Sequence, residues 1–589
     1  MSHVYRQLAL CSLLCCLCHA FQRTELNDVE TAALREFISY TMACKNVTGL
    51  TISMVRNGET IFAEGFGHAR KDDDAPVTNE TLFNIGSITK TFTSAVAAHA
   101  VGHSRALWST PLVSILGDEF WLQGQFRTEE ISLRDILANK AGIPRYWGVS
   151  TAALNLTRSE LVRRMRYFEA AHSFRSSWLY SNYMYVLAGY VTEVLTEQTW
   201  EEAVRNIIFD KLGMNLSRVS ADMTDDDWDN TCWSRIESEG EWIEVDEPAQ
   251  VSIMNGIAPS SGIYSNAVDM AEYAKFHLNR GKNQAGEQVV DEVALGDTYV
   301  AAFAIPDTCC MYKPNYPVDD TRASYGMGWF RGSYRGYEKI HRTGSFSGYY
   351  CRLSLFHGEN SGVFVCVNSP GDDRGYDAVY TISLYAYDLL LGLQQWLDRD
   401  KGCTYPNPWR EPPRIYQPQK PMTYSPYLPI RPLTDYVGEY GHFAFGNFSV
   451  TYDEDKRELR YKFGTLLRGS LSPHQTKATI MYMRIEGPVS YREYFYSKYY
   501  PHGWPIEFDM DESGNIFDVT VPYFDSSYTP VFTKNLKLAD APEASFLISV
   551  APPTRFLVGQ TDLVRAMAYI TMELVLTLRY FEVEGLTTQ

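Results

Sequence analysis

The stretch Thr81-Leu-Phe-Asn-Ile-Gly-Ser-Ile-Thr-Lys-Thr-Phe-Thr93 decides the fold of this chain. It places Ser87 three residues before Lys90, at the start of an alanine-rich segment, residues 94–101, that we predict to be helical. Because residues three apart share a helix face, the Lys90 amine can reach the Ser87 hydroxyl. A serine becomes a strong nucleophile when a neighbouring base takes its proton, and a lysine that burial or nearby positive charge keeps neutral can be that base.

Two motifs further along the chain strengthen this interpretation, since Ser-x-x-Lys alone also occurs at ordinary exposed helix starts. The first is Tyr180-Ser181-Asn182, and the second is the run His341-Arg342-Thr343-Gly344-Ser345. Serine β-lactamases and penicillin-binding proteins carry Ser-x-x-Lys, a middle element and a basic-Thr-Gly triplet in this order. Because the middle element is Tyr-Ser-Asn, the chain more closely resembles class C β-lactamases, D-aminopeptidases and family VIII esterases. It carries no Gly-x-Ser-x-Gly elbow, the signature of the α/β-hydrolases.

Further segments resemble landmarks of the same family and follow its order over roughly the first two thirds of the chain. These segments are Leu137-Ala-Asn-Lys-Ala-Gly-Ile-Pro144, Ile208-Phe-Asp-Lys-Leu-Gly-Met214, Ser261-Gly-Ile-Tyr-Ser-Asn-Ala-Val-Asp-Met270 and Tyr325-Gly-Met-Gly-Trp329. The resemblance implies an α/β (α+β) fold of the β-lactamase/transpeptidase type, with an antiparallel sheet, flanking helices and an all-α subdomain. The active site would lie between the sheet and that subdomain.

The resemblance also implies a serine mechanism with Ser87, Lys90 and Tyr180 as catalytic residues. Ser87 would attack an acyl carbonyl, while Lys90 and Tyr180 would move its proton to the leaving group. Asn182 would project from an extended segment to the same side as Tyr180 and bind a substrate amide or Lys90, although it also suits the cap of a following helix. By family analogy, the backbone N–H groups of Ser87 and Ser345 would form the oxyanion hole.

The run Arg342-Thr343-Gly344-Ser345 supplies the expected substrate-binding residues. Arg342 stands where β-lactamases carry lysine and many esterase-like relatives carry histidine. Because a guanidinium is a planar, permanently charged fork for a carboxylate, we expect Arg342 to bind an anionic group of the substrate. Two alternatives to substrate binding by Arg342 stay open. In the first, Arg342 is an exposed strand residue paired with a surface acid. In the second, the match to the triplet slips by one residue and His341 takes the basic position.

The N-terminal residues predict secretion. Arg6, an apolar run over residues 8–17 and the small residue Ala20 together form a signal peptide over residues 1–20. The predicted glycosylation sites are Asn46, Asn79, Asn155, Asn215 and Asn447. The cysteines left after cleavage are Cys44, Cys232, Cys309, Cys310, Cys351, Cys366 and Cys403, an odd number whose pairing the sequence leaves open. We expect a secreted, extracellular glycoprotein with disulfide bonds.

Composition divides the rest of the chain into four parts. These are a hydrolase domain over residues 25–395, a proline-rich linker over 402–432, a β domain over 433–535 and an extension over 536–589. The β domain resembles the lipocalin-like antiparallel barrel often appended to these hydrolases, with a structural or cleft-covering role.

Two acidic segments resemble metal sites, but neither has the ligand spacing of one. Residues 509–516 imitate a calcium loop, yet Thr520 occupies the position of its bidentate glutamate, so a hairpin turn at Ser513-Gly514 is the better interpretation. The acidic run at residues 225–229 lacks ligand spacing, and we predict a solvated loop. We expect no metal site and no cofactor.

Charge and hydropathy restrict the partners. Lys+Arg 53 against Asp+Glu 71 gives a net charge of −18, which argues against nucleic acid and anionic membrane surfaces. Residues 563–581 are apolar but carry three charged side chains, and we predict no membrane span. We expect a small-molecule or peptide acyl substrate.

Two classes of function stay open. One is an active serine hydrolase of an ester, an amide or a D-amino-acid peptide. The other is a catalytically quiet extracellular matrix or binding protein, because the gigasin-type proteins of mollusc shell matrix also resemble this acidic chain. The presence of Ser87, Lys90, Tyr180 and Asn182 together favours the enzyme.

Overall fold

The computed structural model describes residues 25–541 apart from 71–74, 118–119, 147–152, 155, 239–240, 306–317, 409–430, 475, 494–502 and 526–527. All described residues belong to one compact unit that ends at Ala541. The predicted signal peptide, most of the predicted linker and the chain beyond residue 541 lie outside the described residues. So do Asn155, Cys309 and Cys310.

A sheet of antiparallel strands forms the centre of the hydrolase domain. Its strands are β1 (Gly49–Arg56), β2 (Glu59–Gly67), β8 (Phe303–Ala304), β9 (Ser324–Tyr325), β10 (Phe330–Tyr334), β11 (Tyr337–Phe346), β12 (Tyr349–Phe356) and β13 (Ser361–Val367). They lie in the order β2-β1-β13-β12-β11-β10-β9-β8. Asn57 and Gly58 join β1 to β2 with φ values of 52° and 83°. A two-residue turn with both φ values positive matches the twist of the flanking strands.

Helices cover this sheet and fill the region between β2 and β8. In the described residues the α-helices are α1 (Asp28–Lys45), α2 (Thr89–His103), α3 (Val113–Leu116), α4 (Gln125–Glu130), α5 (Leu133–Leu137), α6 (Arg158–Arg164), α7 (Asn182–Thr196), α8 (Trp200–Ala203), α9 (Asp210–Leu212), α10 (Asp225–Asp229), α11 (Glu247–Ser261), α12 (Ala267–Leu278), α13 (Glu292–Asp297), α14 (Asp373–Leu390) and α15 (Arg399–Thr404). The short strands among them are β3 (Phe83–Asn84), β4 (Arg218–Val219), β5 (Arg235–Ser238), β6 (Glu241–Glu244) and β7 (Ile263–Ser265). The predicted α+β fold is confirmed.

The sheet lies between two helical layers. Successive side chains along its strands point to opposite faces and join two different apolar clusters. Ile52 and Val365 pack with Ile38 of α1 and with α14. Phe364, the neighbour of Val365, belongs instead to the cluster that contains Met270 of α12 and the all-α region. This period of two is what a strand buried on both faces requires.

The acidic run at residues 225–229 is not the predicted loop but the short helix α10. Thr224 caps it, since the Thr224 side chain accepts a hydrogen bond from the Asp227 N–H. Three aspartates then occupy the first turn, where the positive end of the helix dipole favours carboxylates. The sequence prediction overlooked this cap.

The predicted β domain is a closed antiparallel barrel. Its strands are β14 (Gly438–His442), β15 (Gly446–Asp453), β16 (Glu458–Phe463), β17 (Leu467–Pro473), β18 (Ile480–Glu486), β19 (Trp504–Met510), β20 (Ile516–Thr520) and β21 (Val531–Lys534). Residues 511–515 form the predicted hairpin turn between β19 and β20, in which Asn515 N–H donates to the Asp511 carboxylate.

Barrel residues pack directly on the hydrolase domain. The Phe445 ring contacts the rings of Tyr146 and Phe168, with centroids 5.0 and 5.2 Å apart. The Tyr491 hydroxyl lies 2.9 Å from Ser347 Oγ, in the turn that follows β11. The barrel domain therefore touches the turn that follows the strand carrying the basic-Thr-Gly triplet.

Two disulfides settle part of the open cysteine pairing. Cys44 in α1 bonds to Cys403 in α15, and Cys351 in β12 bonds to Cys366 in β13. Cys232 is a buried free thiol. Of the predicted glycosylation sites, Asn215 and Asn447 are exposed, and Asn46 and Asn79 are partly exposed. Nowhere in the described ranges is a helix long and apolar enough to cross a bilayer.

Candidate active site

Ser87 lies in a single 3₁₀ turn, Gly86–Ile88, that leads directly into α2. The buried Asn84 holds this turn, because its Oδ1 accepts a hydrogen bond from Gly86 N–H over 2.8 Å. Gly86 has φ +51°, and a Cβ there would lie 2.6 Å from the Ser345 backbone nitrogen. A Cβ at Gly344 would lie 2.0 Å from the Ile85 carbonyl oxygen. The two glycines therefore allow the nucleophile turn to rest on β11, beside the expected oxyanion donors.

Lys90 is completely buried one turn after Ser87. Its Nζ lies 3.1 Å from Ser87 Oγ, 2.9 Å from Asn182 Oδ1 and 2.8 Å from the Ser260 carbonyl oxygen. Burial, and secondly the Arg342 charge, hold the pKa of Lys90 well below its ordinary value. A neutral amine has two hydrogens and one lone pair. Because the Asn182 and Ser260 oxygens can only accept, a neutral Lys90 would give its two hydrogens to them and keep its lone pair for Ser87.

Tyr180 approaches Ser87 from the other side, with its phenolic oxygen 2.8 Å from Ser87 Oγ. The landmark residue Asn139 fixes the segment that carries Tyr180. Its backbone oxygen accepts from Leu179 N–H and its Oδ1 accepts from Ser181 N–H, both over 2.9 Å. Asn139 itself has φ 57°, a left-handed conformation that asparagine tolerates better than most residues.

Asn182 is the first residue of α7 and does not lie on an extended segment, which corrects the sequence prediction. Nor does it cap that helix, since the N-cap residue is Ser181. The first helical turn nevertheless brings its side chain to Lys90, one of the two partners predicted for it.

Arg342 is only 1% exposed and faces the catalytic residues instead of the solvent. Nε donates to the Ser87 carbonyl oxygen over 3.0 Å, Nη1 to the Tyr325 hydroxyl over 2.9 Å and Nη2 to the Tyr180 hydroxyl over 2.7 Å. Burial alone would lower the pKa of Arg342, but the surrounding tyrosine oxygens, that of Tyr180 foremost, leave it raised. This geometry replaces both earlier interpretations of Arg342, since the guanidinium is neither exposed nor open to a substrate carboxylate.

His341 does not take the basic position, because the side chain that contacts Ser87 and Tyr180 is that of Arg342. Arg342 pairs with Leu353 and His341 with Ser354 of β12. The His341 ring stacks on Phe330 with centroids 5.5 Å apart, and burial holds the pKa of His341 well below its ordinary value.

The other residues of the triplet lie along the same strand. Thr343 is partly exposed, Gly344 is buried against the nucleophile turn and Ser345 is exposed. Three residues of this centre received no role in the sequence prediction: Asn139, Tyr185 and Tyr325. Asn139 and Tyr325 stand inside recognised landmarks, and Tyr185 follows Asn182 by three residues, which places it on the same helix face.

Comparison with known proteins identifies the family. The sequence model described as Beta-lactamase matches residues 34–386, more than half of the chain. An unguisins hydrolase of Aspergillus campestris is 24% identical over 449 residues, which cover 72% of this chain and 78% of that protein. A D-aminopeptidase of Brucella anthropi is 25% identical over 207 residues, 33% of this chain and 38% of that protein.

A solved structure shows the same fold. The octameric penicillin-binding protein homologue from Pyrococcus abyssi has a TM-score of 0.52 and 21% identity, and covers 86% of this chain and 100% of its own. With the family match across residues 34–386, these findings show that the chain belongs to the beta-lactamase family, a superfamily of hydrolases.

Proposed function

We propose that this protein is a secreted serine hydrolase that forms an acyl-enzyme on Ser87. The observation that carries the proposal is that Ser87 Oγ lies between Lys90 Nζ, at 3.1 Å, and the Tyr180 oxygen, at 2.8 Å. Both groups are within reach of a proton transfer from the nucleophile. A residue that served only packing would not need two groups at its hydroxyl that can exchange a proton with it.

In acylation, Ser87 Oγ attacks the acyl carbonyl, and its proton passes to the pair formed by Lys90 and Tyr180. The backbone N–H groups of Ser87 and Ser345 stabilise the oxyanion, a contribution typically worth about 3 kcal/mol. The intermediate collapses when the acyl–leaving-group bond breaks and the pair returns the proton to the leaving group. Water then attacks the ester carbonyl, gives a proton to the same pair, and releases the acid while Ser87 regains its hydrogen.

Two elements of the site favour proton transfer. The lowered pKa of Lys90 favours its neutral amine, and Arg342 donates to the Tyr180 oxygen, where its charge stabilises negative charge that develops during the transfer. Arg342 remains charged throughout, because a guanidinium does not release its proton under such conditions. It therefore assists Tyr180 electrostatically and carries no proton itself.

The substrate we propose is an amide, an ester or a D-amino-acid peptide. A relative named as a D-aminopeptidase supports a peptide-type bond, and one named as an unguisins hydrolase supports hydrolysis. Because Arg342 already donates to Ser87, Tyr325 and Tyr180, the substrate needs no anionic group to pair with it. Secretion is supported by two disulfides, which persist mainly in oxidising compartments.

Covalent labelling tests the proposal directly. A fluorophosphonate probe should give one adduct by intact mass, and Ser87→Ala should abolish it. Ser383→Ala removes another buried serine hydroxyl, which bonds to Val379 O in α14, and should leave labelling unchanged. Labelling that persists in Ser87→Ala would disprove the nucleophile, and a folded wild-type protein without any adduct would favour the matrix or binding role.

A further inference from the structure

A run of hydroxyl groups leads away from the active site behind Arg342. Arg342 Nη1 donates to the Tyr325 oxygen over 2.9 Å, and the Tyr325 and Tyr185 oxygens are 3.0 Å apart. Tyr185 in turn donates to the Leu137 carbonyl oxygen over 2.6 Å. The run joins β11, β9, α7 and the end of α5, and none of the proton transfers described above uses it.

The groups at the two ends of this run fix the direction, from donor to acceptor, of every hydrogen bond in it. A carbonyl oxygen can only accept, so the Tyr185 hydrogen is committed to Leu137. The Tyr185 oxygen then accepts the Tyr325 hydrogen, which leaves the Tyr325 lone pairs toward Arg342. Because a guanidinium can only donate, every member is satisfied in the order Arg342, Tyr325, Tyr185, Leu137.

Burial makes this arrangement costly to break. Tyr185 and Tyr325 are both fully buried, so a hydroxyl without a partner would pay the full cost of desolvation. Burial also raises the pKa of both phenols, which keeps them neutral. Arg342 cannot turn Nη1 away without depriving the buried Tyr325 oxygen of this donor.

The groups that face Tyr180 come from several elements. Lys90 of α2 lies over its ring at 5.0 Å, and Arg342 of β11 donates to its oxygen. Tyr185 of α7 and Tyr325 of β9 also interact electrostatically with it. Among these groups, only the two tyrosines also fix the direction of the Arg342 guanidinium.

We propose that Tyr325 and Tyr185 are positioning residues that hold Arg342 Nη2 on the Tyr180 oxygen, where its charge stabilises negative charge during proton transfer. The inference rests on the proposed function, because it assigns Tyr180 a part in the proton transfer. It differs from a purely structural role in one respect. A structural tyrosine affects unfolding, whereas a positioning tyrosine also changes the pH at which Tyr180 loses its proton.

The test uses Tyr325→Phe and Tyr185→Phe in the full-length protein, with kcat/KM for an activated ester measured against pH. Loss of a hydrogen bond to a charged group predicts a plateau lower by about tenfold in Tyr325→Phe, and less in Tyr185→Phe. The acid limb of the profile, where kcat/KM falls as the pH is lowered, should move to higher pH in both variants. Tyr334→Phe is the matched control, because Tyr334 is equally buried but donates to Asp388 on α14. It should lower the unfolding temperature without moving the acid limb.

A second readout does not depend on turnover. Carbon-13 NMR of tyrosine labelled at Cζ reports the ionisation of Tyr180, assigned by the signal lost in Tyr180→Phe. Tyr180 should lose its proton at higher pH in Tyr325→Phe than in the wild type. If Tyr325→Phe does not fold, the same titration is measured in Tyr185→Phe. An unchanged titration in both folded variants would overturn the positioning role. A wild-type protein without probe labelling would instead overturn the serine mechanism, and the NMR titration would still decide the role of the tyrosines.

Discussion

Arg342 donates a 2.7 Å hydrogen bond to the same Tyr180 oxygen that lies 2.8 Å from Ser87 Oγ. A permanently charged group therefore acts on the nucleophile through one intervening phenol. A cation in that place stabilises negative charge on the phenolic oxygen, and each of its three nitrogens already donates within the protein.

Substitution of Arg342 should affect all substrates alike. Because the guanidinium contacts Tyr180 and not the solvent, we expect Arg342→Ala to lower kcat/KM for a neutral ester and for a carboxylate-bearing ester by the same factor. A charge-assisted hydrogen bond is worth about 1.5–3 kcal/mol, or roughly 10- to 150-fold. Parallel measurements on two esters that differ only in that carboxylate check this. A loss confined to the anionic ester would restore Arg342 as a substrate-binding residue.

Tyr180→Phe should lower kcat by about 10²- to 10⁴-fold, the usual contribution of a general acid–base group. Activity of the wild type should fall on the acid side, because Lys90 must be neutral or Tyr180 unprotonated in the working state. Since burial lowers the pKa of Lys90, its neutral form persists to lower pH than that of an exposed lysine. A pH–rate profile of both proteins on an activated ester provides the measurement. Near-normal kcat in Tyr180→Phe would remove Tyr180 from the mechanism.

Gly344→Ala should abolish activity through geometry alone. The added Cβ would lie 2.0 Å from the Ile85 carbonyl oxygen, so the nucleophile turn must move away from β11. We expect loss of probe labelling at Ser87 together with a lower unfolding temperature. Gly358→Ala is the control, because a Cβ there meets no atom within 4 Å. A Gly344→Ala protein that labels at the wild-type rate would show that this close approach is not required.

The sequence predicted most of the fold and the central residues, for a physical reason. The Asn57-Gly58 turn, the alternating strands and the Ser-x-x-Lys spacing are local patterns, and each of them specifies its own geometry. The direction of the Arg342 side chain, in contrast, is not determined by neighbouring residues in the sequence. It depends on Tyr325 and Tyr185, which lie 17 and 157 positions away in the chain and meet Arg342 only after folding.

Asn182 illustrates the same limit at shorter range. Its contact with Lys90 was predicted, but from the wrong backbone conformation, because the start of α7 depends on Ser181 and on Asn139, 43 residues earlier. The pairing of the cysteines could not be predicted from the sequence for a similar reason. Cys44 and Cys403 are 359 positions apart, and only the packing of α1 against α15 brings them together.

Glu247 should make stability fall as the pH rises. This carboxyl is fully buried, and burial raises its pKa from the ordinary 4.5 to about 7. Between those values the folded protein keeps a proton that the unfolded chain has lost, so the free energy of unfolding decreases with pH, by as much as about 3 kcal/mol. Glu247→Gln should therefore gain stability relative to the wild type between pH 5 and pH 8, measured by urea unfolding. Glu454→Gln, at an exposed site, controls for the lost charge, and a pH-independent difference for Glu247→Gln would contradict the prediction.

Loss of the Cys44–Cys403 disulfide should destabilise the hydrolase domain. This bond joins residues 359 positions apart, so it restricts the unfolded chain far more than Cys351–Cys366, which spans 15. We expect the double variant Cys44→Ser/Cys403→Ser to lose about 2–4 kcal/mol of unfolding free energy and to retain its Ser87 labelling, since α1 and α15 supply no active-site residue. Cys232→Ser, at a buried thiol outside either disulfide, is the matched control, and its difference in stability from the wild type should be the same with and without reductant. A double variant as stable as the oxidised wild type would show that the α1–α15 packing alone, including the Lys45 hydrogen bond to the Tyr405 carbonyl, holds the two ends of the domain together.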